Sequence, residues 1–143
     1  MNKRILWVDD DYYAIQGLLR PIEKEGFQLD IALSALDAYN RAKDKEIYDL
    51  IIVDLIIPIS NEAPAPDFMR EWGDTENYEF IGVGLIKWLI NEMKVKCPVA
   101  ILSVVCDPIS KCRLEKLGLA GSIQKSDLLP AGLKSELYKF MKI

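Results

Sequence analysis

Short apolar runs along this chain alternate with longer stretches in which apolar residues recur every three or four positions. The clearest runs are Ile5–Val8, Leu50–Val53 and the stretch Pro98–Ser103, and Leu29–Leu33 and Ala120–Gln124 read as further short strands. Leu50-Ile51-Ile52-Val53 shows no polar alternation until Asp54 closes it. A strand with that pattern is covered on both faces, as in a parallel sheet sandwiched by helices. The intervening stretches have helical period: Ile15, Leu18, Leu19 and Ile22 share one face, and Ala35, Ala38, Tyr39 and Ala42 share another. Pro21 lies inside the first of these helices, which Gly26 is placed to stop. Ser34 is placed as an N-cap, with Asp37 three residues on. Helical pattern returns near Val83, with Leu85, Ile86, Leu89, Ile90 and Met93 inward. It returns again over 108–117, ending at Gly118, and over 127–141, with Leu129, Leu133, Leu137 and Phe140 inward.

Strand–helix alternation of this kind predicts a (βα)5 α/β domain. Its five strands are parallel, with right-handed crossovers and helices on both faces of the sheet. The 143 residues suit one domain over 1–143. One stretch breaks the rhythm. From Pro58 to Phe80 there are three prolines and six acidic residues without a long period, and Asp67–Trp72 has room for a single helical turn. Loops longer than about 12–15 residues are uncommon in compact domains and are often functional.

Composition narrows the chemistry. A net charge of -4 and the lack of a Lys/Arg run argue against nucleic acid as a partner. No apolar stretch approaches the ~20 residues of a membrane span, and Ile5–Val8 is too short for a signal peptide, so no membrane association and a cytoplasmic location are expected. Cys97, Cys106 and Cys112 match no zinc spacing, and an odd count suits a reducing compartment. Histidine is absent, which removes Ser-His and Cys-His catalysis. What remains is carboxylate, lysine and hydroxyl chemistry with a hard metal.

Ligands of open parallel sheets bind beyond the carboxyl ends of the strands. Here those ends carry Asp9 and Asp10, Asp54, Ser103 and Lys125. Taken singly, each is a turn, capping or solvated residue, and Asp11 is read as no more than the opening of the first helix. Taken together, three carboxylates on one edge repel one another unless a cation joins them. Oxygen donors without His or Cys select Mg²⁺. A carboxylate, a counter-charged ammonium and a hydroxyl donor around such an ion suit capture of a phosphoryl group as an aspartyl phosphate.

ILWVDDD, YDLIIVDLIIP, PVAILS and the lysine of GSIQKSD resemble, in order and over nearly the whole chain, the receiver domain of two-component response regulators. The resemblance implies a doubly wound, flavodoxin-like receiver fold with strand order 2-1-3-4-5, and Asp54 as the phosphoacceptor. It implies that Asp9, Asp10, Asp54 and the backbone carbonyl of Ile56 hold Mg²⁺, and that Ser103 and Lys125 bind the phosphoryl group. The partners it implies are a histidine kinase or phosphotransfer protein and an unknown output protein, in a stand-alone phosphorelay module with a homodimer left open. Gly84 looks like the glycine that follows the phosphoacceptor loop. The chain also departs from the pattern. The interval from Asp54 to Gly84 is about 20 residues longer than the resemblance implies, which marks 59–80 as an insertion, a lid or a partner-binding element. Ser122 stands where the switch aromatic is expected, and Ser126 replaces the proline after the lysine. Val104 narrows access to Asp54, and apolar Ile56 and Val105 predict slow dephosphorylation. The alternative function is a receiver-fold interaction module not regulated by phosphorylation, with 59–80 as its lid or partner element. A Mg²⁺-dependent aspartyl phosphatase fits poorly, because Ile56 occupies the acid/base position.

Overall fold

The computed structural model describes residues 3–43, 47–61, 63–74 and 78–143. Five strands, β1 (Arg4–Val8), β2 (Gln28–Ala32), β3 (Leu50–Asp54), β4 (Val99–Ser103) and β5 (Gly121–Gln124), form one parallel sheet. Its order is β2-β1-β3-β4-β5, as the resemblance implies. Registers Val8↔Val53 and Asp54↔Leu102 place the carboxyl ends of β1, β3 and β4 side by side.

Strand periodicity divides the core in two. Ile5 and Trp7 point to one face with Leu50 and Ile52, and pack with Ile15, Leu19 and Ile22 of α1 (Tyr12–Lys24) and Leu133 and Leu137 of α5 (Pro130–Met141). Leu6 and Val8 point to the other with Ile51 and Val53, against α2 (Ala35–Ala42) and α3 (Ile81–Lys87). Both faces of β1 and β3 are therefore dry, which is why these strands read as unbroken apolar runs. Ser34 caps α2 as expected, its Oγ accepting from the Asp37 N–H at 3.1 Å.

Four expectations change. The helix expected over 108–117 is only α4 (Pro108–Lys111), followed by a separate 3₁₀ turn at Glu115–Leu117. Positive φ at Arg113 (56°) ends the first piece. Leu129, expected inward on the last helix, is the N-cap of α5 and is 70% exposed. Pro130 starts that helix later than Asp127, as its preset φ and missing N–H favour. α3 does not continue as regular helix but passes into a π-helical turn at Trp88–Glu92.

The fourth change concerns the glycine. The residue packed against the loop after β3 is Gly82, not Gly84. A Cβ on Gly82 would lie 2.5 Å from the Asp54 carbonyl oxygen and 2.5 Å from Leu55 Cα, and its N–H donates to the Leu55 carbonyl at 3.0 Å. Gly84 instead makes room for an indole: a Cβ there would lie 2.4 Å from Trp72 Cγ.

Trp72 belongs to a 3₁₀ segment, Asp67–Gly73, inside the 59–80 stretch. It and Met69 are buried in the α2–α3 side of the core. The Pro58 and Ile59 carbonyls accept from the Ala35 and Leu36 N–H groups, which ties the start of this stretch to α2. Glu62 and Glu76, two of its six acidic residues, lie outside the described residues.

Candidate functional site

Asp9 follows β1 and is fully buried. Its backbone N–H donates to the Ala32 carbonyl of β2 at 2.9 Å, and its Oδ1 accepts from the Asp11 N–H at 2.9 Å. Asp11 thus opens α1 and also orients Asp9. Asp10 is exposed. Asp54, the last residue of β3, is 3% exposed, and its Oδ1 accepts from the Ile56 N–H at 3.1 Å. One carboxylate oxygen from each of Asp9, Asp10 and Asp54 lies within 4.8 Å of the others.

Lys125, just beyond β5, reaches across the sheet edge. Its Nζ donates to Asp54 Oδ2 at 2.8 Å and to Asp9 Oδ1 at 3.2 Å. Nζ is also 3.2 Å from Asp9 Oδ2, but no hydrogen bond is directed at that oxygen, which is buried without a partner. Two of the three carboxylates, Asp9 and Asp54, thus share one ammonium.

Electrostatics follow from this. Burial raises the Asp54 pKa, and Asp9 adds to the rise; the Lys125 hydrogen bond, the Ile56 N–H and the lysine charge oppose it without cancelling it. Burial works to lower Lys125, but the hydrogen bond and charge of Asp54, then Asp9, outweigh it, so its pKa is raised and the ammonium is secure. An ion pair alone would depress the carboxylate; the rise shows that desolvation wins at Asp54.

Ser103 ends β4 beside Leu102, the register partner of Asp54, and is fully buried. Its Oγ accepts from the Val105 N–H at 2.9 Å, so the hydroxyl proton is left to donate. Ser103 makes no hydrogen bond to the carboxylates. The Ile56 carbonyl accepts no hydrogen bond from a described residue. The side chains of Ile56 and Val104 are 50% and 57% exposed, and Ser122 is exposed on β5. The Lys125–Ser126 peptide is trans.

A cation test follows from Asp9 Oδ2. A buried, partnerless carboxylate oxygen beside two further carboxylates is costly without a counter-charge. All the donors are hard oxygens, the set that suits Mg²⁺. The residues present fit that ion.

Sequence reasoning missed Gly82 and Gln124. Gln124 donates from Nε2 to the Val104 carbonyl at 2.9 Å and holds the β4–α4 loop to the end of β5. Nothing in the sequence separates Gly82 from Gly84; only the packing does.

No protein-family model matches the chain, and no curated protein matches it in sequence. Solved structures do match. The non-phosphorylated HemR receiver domain of Leptospira biflexa is 20% identical, with a TM-score of 0.72, covering 99% of this chain and 96% of that one. The chemotaxis response regulator CheY4 of Vibrio cholerae is 19% identical, with a TM-score of 0.72, covering 98% and 99%. The chain has the receiver fold. A third receiver-fold match is a Burkholderia pseudomallei response regulator bearing a phosphorylated aspartic acid, a calcium ion and citrate. It is 18% identical, with a TM-score of 0.67, covering 95% of this chain and 66% of that one. Among the described residues no helix is long and apolar enough to cross a membrane.

Proposed function

We propose that this chain is a response-regulator receiver module that accepts a phosphoryl group on Asp54 and signals by protein–protein contact. The observation that carries the reading is the Asp54 carboxylate, buried at the end of β3 and bonded to Lys125 Nζ at 2.8 Å, beside the carboxylates of Asp9 and Asp10. The phosphorylated aspartate and divalent ion of the Burkholderia protein support it by analogy of fold.

In this reading an Asp54 oxygen forms a bond to phosphorus as the donor's own bond to phosphorus breaks, and the leaving group keeps that electron pair. Asp9, Asp10, Asp54 and the Ile56 carbonyl would hold Mg²⁺, which would supply counter-charge for the approach of an anionic phosphoryl group to a carboxylate. Lys125 keeps its proton and turns from Asp54 Oδ2 toward a phosphoryl oxygen. Ser103 donates its hydroxyl proton to another. The donor is a histidine kinase or phosphotransfer protein, and the module acts in the cytoplasm.

Beryllofluoride with Mg²⁺ mimics the phosphorylated carboxylate. Calorimetry should show stoichiometric binding to the wild type and none to Asp54→Ala. Equal heats from both proteins, or none from either, would reject the reading.

A further inference from the structure

A groove of about 470 Å³ opens on the far side of α3 from the acidic site. It is within the size range of pockets that take small ligands or single side chains. Its aromatic wall comes from three elements. Tyr39 of α2 contacts Trp88 of the π-helical turn at 4.8 Å between ring centroids and Phe68 of the 3₁₀ segment at 5.5 Å, and Phe68 contacts Trp72 at 5.9 Å. Gly84 lets Trp72 seat against α3, so the wall depends on a residue without a side chain. The π-helical turn brings Trp88 and Glu92 to the same opening.

The rim carries two carboxylates and one ammonium, a net negative charge. Glu71, which accepts from the Tyr78 hydroxyl, and Glu92 line the groove with Lys87, and neither carboxylate pairs with a lysine or arginine among the described residues. Two of the chain's own ammonium groups already rest on aromatic faces here: Lys43 Nζ lies 5.2 Å from the Tyr39 centroid and Lys87 Nζ 5.4 Å from that of Tyr78. Aromatic faces attract cations through the ring quadrupole, and arginine also stacks on them. With two carboxylates against the one ammonium of Lys87, the rim favours a cationic guest over an anionic one.

We propose that this groove binds an arginine or lysine side chain presented by a basic segment of a partner protein. The occupant is a peptide side chain because the rim carboxylates lie on the exposed surface, where flanking basic residues of an extended segment reach them. The inference does not depend on phosphorylation of Asp54.

The test titrates the full-length protein with a short Arg/Lys peptide and follows the emission of Trp72 and Trp88; Trp7 is fully buried and remote from the groove. A Glu/Asp peptide of equal length and N-acetylargininamide serve as the comparison arms. Saturable binding of the Arg/Lys peptide is expected, with no binding of the acidic peptide and much weaker binding of the free amide. Phe68→Ala and Glu92→Gln change surface positions and should each weaken the peptide roughly five- to tenfold while leaving the circular dichroism unchanged. Three results would overturn the proposal. One is no saturable binding. Another is Phe68→Ala binding as tightly as wild type, which would reveal plain surface charge attraction. The last is the free amide binding as tightly as the peptide, which would make the guest a small molecule.

Discussion

Replacing Gly82 by alanine puts a methyl group where the Asp54–Leu55 backbone already is. The added Cβ would sit 2.5 Å from the Asp54 carbonyl oxygen, 2.5 Å from Leu55 Cα and 2.9 Å from the Leu55 carbonyl oxygen, whereas ordinary contact begins at 3.4 Å. All three obstacles are backbone atoms, so no side-chain rotation relieves the clash. Either α3 or the loop must retreat by roughly 1 Å, and overpacking of this kind costs about 1–3 kcal/mol. The shift also strains the 3.0 Å hydrogen bond from the Gly82 N–H to Leu55, worth about 1 kcal/mol. Against this, alanine is up to about 1 kcal/mol better than glycine in a helix. The clash wins, and a net loss of about 1–3 kcal/mol is expected in urea unfolding. Gly17→Ala is the internal control: it lies within α1 with nothing inside 4 Å of its Cβ position, and should stabilise by about 0.5–1 kcal/mol. A Gly82→Ala protein as stable as wild type would refute the claim that Gly82 is the close-approach glycine.

Trp72→Ala should cost about 3–5 kcal/mol in the same assay, because the indole is 3% exposed and seated on Gly84; a loss below 1 kcal/mol would return the 59–80 stretch to the status of a loosely held loop. Ile56→Asn should shorten the lifetime of phosphorylated Asp54 several-fold by offering attacking water a hydrogen-bond partner, and an unchanged decay rate would count against slow dephosphorylation as a property of this site. Burial, reinforced by Glu79, pushes the Cys112 thiol up to about 11. It therefore stays protonated through pH 8, and only the exposed Cys106 should alkylate rapidly with iodoacetamide; fast labelling of Cys112 on peptide mapping would contradict the packing.

The centre of the sheet was legible because β1, β3 and β4 are buried on both faces and so carry unbroken apolar runs, with Leu50–Asp54 found to the residue. The strand-end residues were legible because a parallel sheet places all carboxyl ends on one edge, and Asp9, Asp10, Asp54 and Lys125 do converge there. What stayed hidden is set by packing rather than period. Gly82 and Gly84 are two residues apart in one helical turn, and only the third dimension shows that one faces a backbone and the other an indole. The short α4 follows from a backbone reversal at Arg113 that hydrophobic periodicity does not encode. Burial of Met69 and Trp72 was equally invisible, because a short 3₁₀ segment preceded by two prolines carries no long period.

The central claim rests on a covalent bond to one side chain. Incubation with acetyl phosphate and Mg²⁺, followed by intact-mass analysis and peptide mapping, measures it directly. The account predicts a gain of one phosphoryl group on the peptide containing Asp54, abolished by chelating Mg²⁺ and absent in Asp54→Ala. Wild-type protein that stays unmodified with Mg²⁺ present, or a gain that survives in Asp54→Ala, would contradict it.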